Sequence, residues 1–69
     1  MFWWFERDGA YTRCEVLDVA GVFELRIVNP DGTEETELFS DATELAKRQD
    51  AVIDALRRKG WTGPHGWVL

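Results

Sequence analysis

Apolar and polar positions alternate most clearly at Val22–Val28, and after Ser40 the period changes. From Val22 to Val28, Phe23, Leu25 and Ile27 point one way while Glu24 and Arg26 point the other. That is the period of a half-buried strand. From Ser40 to Lys59 the apolar residues instead recur at helical spacing. Ala42, Leu45, Ala46, Val52, Ile53 and Leu56 form one stripe, interrupted by Gln49. A single amphipathic helix must lay its stripe on another element. The strands before it are the only large candidate.

Three more strands are expected around Val22–Val28. Residues 1–7 are aromatic on both faces, with Trp3 and Phe5 on one side and Phe2 and Trp4 on the other. Such a strand needs cover twice or meets a partner at one face. Residues 10–19 place Thr12, Cys14 and Val16 together, opposite Tyr11, Arg13, Glu15 and Leu17. Leu17 and Asp18 break that alternation, which a bulge there would explain. Residues 33–39 carry Glu34, Glu35 and Glu37, charges that suit an exposed edge. Asp8-Gly9, Ala20-Gly21 and Asn29-Pro30-Asp31-Gly32 supply the turns between them.

Both helix ends are marked. Asp41 with Glu44 has capping-box spacing, and Phe39 precedes it as a staple residue. Gly60 suits the C′ position and Trp61 the C″ position of the closing cap. Glu44 with Arg48 and Asp54 with Arg58 are four residues apart in the favourable order. Arg57, Arg58 and Lys59 suit the negative end of the helix dipole. Beyond them, WTGPHGWVL cannot continue as helix, yet Trp61, Trp67, Val68 and Leu69 make it too apolar for a solvated end. It is expected to fold back on the domain or engage a partner.

These elements predict one α+β domain over residues 1–69. Four strands, at about 1–7, 10–19, 22–28 and 33–39, form an antiparallel meander. A C-terminal helix at about 41–59 covers one sheet face, and residues 60–69 form a short aromatic tail. Over residues 1–59 this order resembles, in layout alone, the strands-then-helix arrangement of Whirly-like single-stranded-DNA-binding domains. That resemblance implies nucleic-acid binding, but none of the residues those domains use is found here to carry over.

Charge separates the two halves and weighs against that implication. Residues 1–40 hold nine acids and three arginines, net −6, whereas residues 41–59 hold four acids and five bases, net +1. The total is −5. A nucleic-acid binder needs a basic footprint. The sheet half has the opposite sign, leaving Arg7, Arg13 and Arg26 beside the aromatics as the scattered cations such a reading would use.

Candidate chemistry is sparse. Cys14 is the only cysteine and His65 the only histidine, so no internal disulfide or cysteine-histidine zinc set is available. Cys14 is expected to be a small buried hydrophobe. No phosphate loop, dinucleotide fingerprint, nucleophile elbow or metal-binding helix motif occurs. No catalytic residue, cofactor or metal is therefore expected. The free thiol suits a reducing compartment, and the five apolar residues at the start lack the basic flank and length of a signal peptide. The cytoplasm is the expected location.

What remains is the aromatic surface. Phe2, Trp4, Trp61 and Trp67 are the expected interaction residues, serving a homodimer or a protein or peptide partner. Arg57, Arg58 and Lys59 are the expected contacts for an anion. The function expected is a small non-catalytic binding or structural module acting through protein contact. Single-stranded nucleic-acid binding through the aromatic strand is the alternative.

Overall fold

The turns set the architecture. Asp8 and Gly9 have φ of 49° and 80°, and Ala20 and Gly21 have φ of 53° and 81°. Two successive left-handed residues match the right-handed twist of the strands they join, as in type I′ hairpins. The third turn is tied by its own groups. The Gly32 amide donates to the Asn29 carbonyl at 2.9 Å, and the Asn29 amide donates to the Thr33 carbonyl at 2.8 Å.

The computed structural model describes the backbone of residues 1–68 and the side chains of residues 1–66. The strands are β1 (Phe2–Arg7), β2 (Ala10–Val19), β3 (Val22–Val28) and β4 (Glu34–Phe39). The helix α1 (Ala42–Arg58) follows, and then a fifth strand, β5 (Thr62–Val68). All adjacent strands are antiparallel, in the order β4-β3-β2-β1-β5. The meander is as expected, but the sheet has five strands rather than four, and the helix is not the last element. The presumed tail is an edge strand beside β1. Its glycines and proline hide a strand in the sequence because they suit an irregular edge. Two register shifts against β1 absorb them, between the pairs Phe2–Val68, Trp4–His65 and Glu6–Thr62. The second aromatic end thus extends the sheet sideways instead of layering over the first.

No bulge marks Leu17-Asp18. The β2–β3 register runs unbroken from Arg13–Val28 to Val19–Val22. Asp18 keeps the helix-side phase but lies exposed beside the hairpin turn, where its carboxylate accepts from the Gly21 amide. A charged residue can hold an inward phase where the core ends before the sheet does.

One face carries the core. Trp3 and Phe5 from β1, Thr12 and Cys14 from β2, and Leu25 and Ile27 from β3 are buried beneath Leu45 and Val52 of α1. Phe23, Phe39, Ile53, Leu56 and Trp61 complete its margin. Ala42 and Ala46 remain exposed, so the helix buries a narrower stripe than its sequence suggests. Seventeen residues make α1 about 25 Å long. That length suffices to cross five strands, whose axes span about 19 Å. Crossing is required, because β4 and β5 lie on opposite edges.

Both caps form, with one change of partner. The Asp41 carboxylate accepts from the Thr43 amide at 2.8 Å. Glu44, however, pairs with Lys47 at 3.4 Å, and Arg48 reaches Glu37 of β4 at 2.7 Å. The expected Glu44–Arg48 pair therefore yields to a cross-element partner that the helix alone does not reveal. Asp54 and Arg58 do pair, at 2.8 Å. At the C-terminus the Gly60 amide donates to the Arg57 carbonyl at 3.0 Å and the Trp61 amide to the Leu56 carbonyl at 3.1 Å. Those two bonds are the Schellman pattern. Arg7 adds a third tie, donating to the Lys59 carbonyl at 2.7 Å while its guanidinium lies 5.7 Å from the Trp61 ring. Among the described residues, no helix is long and apolar enough to cross a membrane.

Candidate functional site

Alternation along the strands leaves the second sheet face without a helix. The register brings Phe2, Trp4 and Glu6 of β1 beside Glu15, Arg13 and Tyr11 of β2, and Leu17 of β2 beside Glu24 of β3. Glu24, Arg26 and Val28 of β3 continue the rows, followed by Glu34, Thr36 and Leu38 of β4. The face divides in two. Toward β3 and β4 it is ionic, and toward β1 it is aromatic.

The ionic half is internally satisfied. Arg26 sits among three carboxylates, Glu24 at 3.1 Å, Glu34 at 3.7 Å and Glu15 at 3.8 Å. Glu15 also takes Arg13 at 3.3 Å. The Arg13 guanidinium lies 6.0 Å from the Phe2 ring. Arg7, meanwhile, is engaged on the helix side. The three arginines of the sheet half are thus committed to partners within the chain.

The aromatic half is pinned from several directions. Phe2 and Trp4 have ring centroids 5.9 Å apart, tilted at 45°. His65 of β5 contributes a third ring, 6.2 Å from Trp4. A Cβ at Gly66 would overlap the Trp4 indole, so that indole lies directly on the glycine backbone. The aromatic ring thereby covers the bare edge glycine, and the glycine lets the ring approach.

A shallow concavity of about 900 Å³ opens beside these rings. Phe2, Trp4, Tyr11, Arg13, Val28 and Pro30 line it, and Gly9 and Gly32 bring in the β1–β2 and β3–β4 turns at one end of the sheet. Tyr11 stands 55% exposed, which makes it a ridge rather than a floor. Asp31 lies in the adjoining turn. Its carboxylate accepts from the Thr33 hydroxyl at 2.7 Å and the Thr33 amide at 3.0 Å. These bonds hold its pKa below the usual aspartate value.

The structure places the expected site residues in different regions. Phe2 and Trp4 lie together on the open face. Trp61 packs at the margin of the core on the helix side, against Arg7, and does not join them. The Trp67 side chain lies outside the described residues. Arg57, Arg58 and Lys59 cluster at the helix C-terminus, where Arg58 is held by Asp54 and the Lys59 carbonyl by Arg7. Tyr11, Val28 and Pro30 were not singled out by the sequence reading. Their signal is register: the Asp8-Gly9 and Asn29–Gly32 turns close alternate hairpins, so a meander puts both at the same end.

Cys14 and His65 lie on opposite faces. Cys14 is fully buried beneath the helix, and burial pushes its thiol up to about 11. It is therefore a neutral thiol at neutral pH. His65 contacts the Trp4 ring and comes within 3.4 Å of the Thr62 hydroxyl. Among the described residues, no group of three or more His, Cys, Asp and Glu side chains gathers as a metal site. No family model matches the chain, and neither a curated protein nor a solved structure is significantly similar to it.

Proposed function

We propose that this chain is a small non-catalytic binding module that engages a protein partner through the open sheet face. The observation that carries this reading is the aromatic concavity opposite the helix. Its rings are held by Gly66, His65 and each other, so a ligand meets a surface that needs little ordering. A half-exposed aromatic patch beside a polar rim is the composition of binding surfaces.

Two other occupants have less support. Glu6, Glu15, Glu24 and Glu34 outnumber Arg13 and Arg26 on this face, so two copies meeting there would bring like charges together. Phosphate backbones would meet the same repulsion, and the arginines beside the rings already hold carboxylates.

A random-peptide display selection against the folded chain tests the reading. Enriched peptides should lose binding to a Tyr11→Glu variant, which places a charge on an exposed ridge and leaves the core untouched. If no peptide is enriched, or if enriched peptides bind Tyr11→Glu equally well, the open face is not the binding surface.

A further inference from the structure

We infer that Asp8-Gly9 is a self-modification site, where Asp8 converts to an isoaspartyl residue, and that the same dipeptide at Asp31-Gly32 is held unreactive by its turn. The inference is independent of what binds the open face.

The reaction needs a free backbone amide, a neutral carboxyl within reach and no side chain in the way. The amide nitrogen of the following residue attacks the aspartyl Cγ. The carboxyl hydroxyl leaves with the amide proton as water, and a succinimide ring closes. Water then adds to either ring carbonyl. Opening at Cγ restores aspartate. Opening at the original main-chain carbonyl leaves the chain running through Cβ and Cγ and frees an α-carboxylate. The water lost in the first step is regained in the second, so no other reactant is consumed.

Glycine follows an aspartate only at Asp8 and Asp31. Asp18, Asp41, Asp50 and Asp54 precede valine or alanine, whose side chains shield the amide. Asn29 precedes Pro30, which has no N–H to react. Two candidate steps remain, and both glycines stand in open space, so crowding does not separate them.

Hydrogen bonding does. The Asp8 side chain is 93% exposed, and its ionic neighbour Arg7 lies 3.8 Å away and is already bonded to the Lys59 carbonyl. Among the described residues, nothing accepts from the Gly9 amide. In the β3–β4 turn both reacting groups are committed. The Gly32 amide donates to the Asn29 carbonyl at 2.9 Å, and the Asp31 carboxylate is held by the Thr33 hydroxyl and amide. Those bonds to Thr33 also favour the ionised carboxylate, which lacks the hydroxyl that must leave.

The product alters the sheet locally. Isomerisation adds one carbon to the main chain of a two-residue turn that closes the Arg7–Ala10 pair. Register in a hairpin follows loop length. Ala10 and Tyr11, which line the concavity, are the next residues to feel the change.

The test ages the full folded chain in neutral buffer at body temperature. Trypsin cuts at Arg13 and Arg26 then place the two Asp-Gly steps on different peptides. Electron-transfer fragmentation tells isoaspartyl from aspartyl forms of equal mass. Isoaspartate should accumulate at Asp8 at least about tenfold faster than at Asp31. In guanidinium, where the turn bonds are lost, the two rates should converge. Thr33→Ala should speed Asp31 severalfold and leave Asp8 unchanged. Amide NMR of the aged chain should show a second set of resonances at Arg7, Ala10 and Tyr11. Equal rates in the folded chain would overturn the inference. A difference that persists unchanged in guanidinium would do the same, because flanking sequence and not the turn would then be its cause. So would an Asp8 that stays intact in the folded chain while the denatured chain reacts, or an Asp31 rate that Thr33→Ala does not move.

Discussion

The two faces of this sheet are made by the same strands and obey different rules. On the helix side, Trp3, Phe5, Cys14 and Leu25 are almost wholly excluded from water, and a helix end, a cap and an arginine converge to keep them so. On the other side, rings and charges of similar size remain half in solvent. The first arrangement is what a 69-residue chain needs in order to fold, since small domains bury little surface. The second is not required by folding. Apolar area left uncovered despite that shortage is the reason to look for function there.

The contrast gives an ordered set of expectations. Phe5→Ala should be the most damaging, at about 3–5 kcal/mol, because it empties the buried face. Chemical denaturation would measure it, and a loss below about 1 kcal/mol would mean the helix side is not the true core. Gly66→Ala should follow, at about 2–4 kcal/mol, since it combines a positive φ with a clash against Trp4. Pairing it with Trp4→Ala should recover part of the loss. Strict additivity in that double-mutant cycle would show that ring and glycine do not support each other.

Titration of Cys14 comes next. Its folded pKa of about 11 lies above the ordinary thiol value of 9.0, so its contribution is complete below pH 9. It is lost as pH rises through about 11, a change of roughly 2–3 kcal/mol. Wild type and Cys14→Ala should therefore converge across that window, and parallel stability curves would contradict it. Arg7→Met should cost about 1 kcal/mol by removing the bond to the helix end. Thermal unfolding at several salt concentrations can read it. Tyr11→Ala should change stability by less than about 0.5 kcal/mol. A larger effect there would mean that the open face helps hold the fold, and would blur the contrast between the faces.

Much of the covered side is legible in the sequence because its signals are local. The alternation of Phe23, Leu25 and Ile27, the two ends of the helix and the Asp8-Gly9 turn each depend on a few neighbouring residues. The last strand is not legible in this way. Gly63, Pro64 and Gly66 argue against a strand taken alone, and only pairing with β1 and the Trp4 ring above Gly66 make one of them. Arg48 fails for a related reason. Its sequence neighbour Glu44 looks like the better partner until Glu37 arrives from β4. At the candidate site, Phe2 and Trp4 could be selected for their aromaticity. Tyr11, Val28 and Pro30 could not be selected from any one strand; only the meander order, which puts the Asp8-Gly9 and Asn29–Gly32 turns at one end of the sheet, gathers them.

The pairing of β1 with β5 has a consequence for synthesis and truncation. β1 is made before β5, with three strands and the whole helix between them. Until Thr62–Val68 is available, one side of β1 offers unpaired amides and carbonyls along the sequence FWWFER, which has four aromatics and no proline. Such an edge is a template for other chains. A nascent or clipped chain ending before Thr62 could keep its helix and most of its core and still be the species that aggregates. The glycine-rich closing strand thus acts as a shield for the stickiest segment of the molecule.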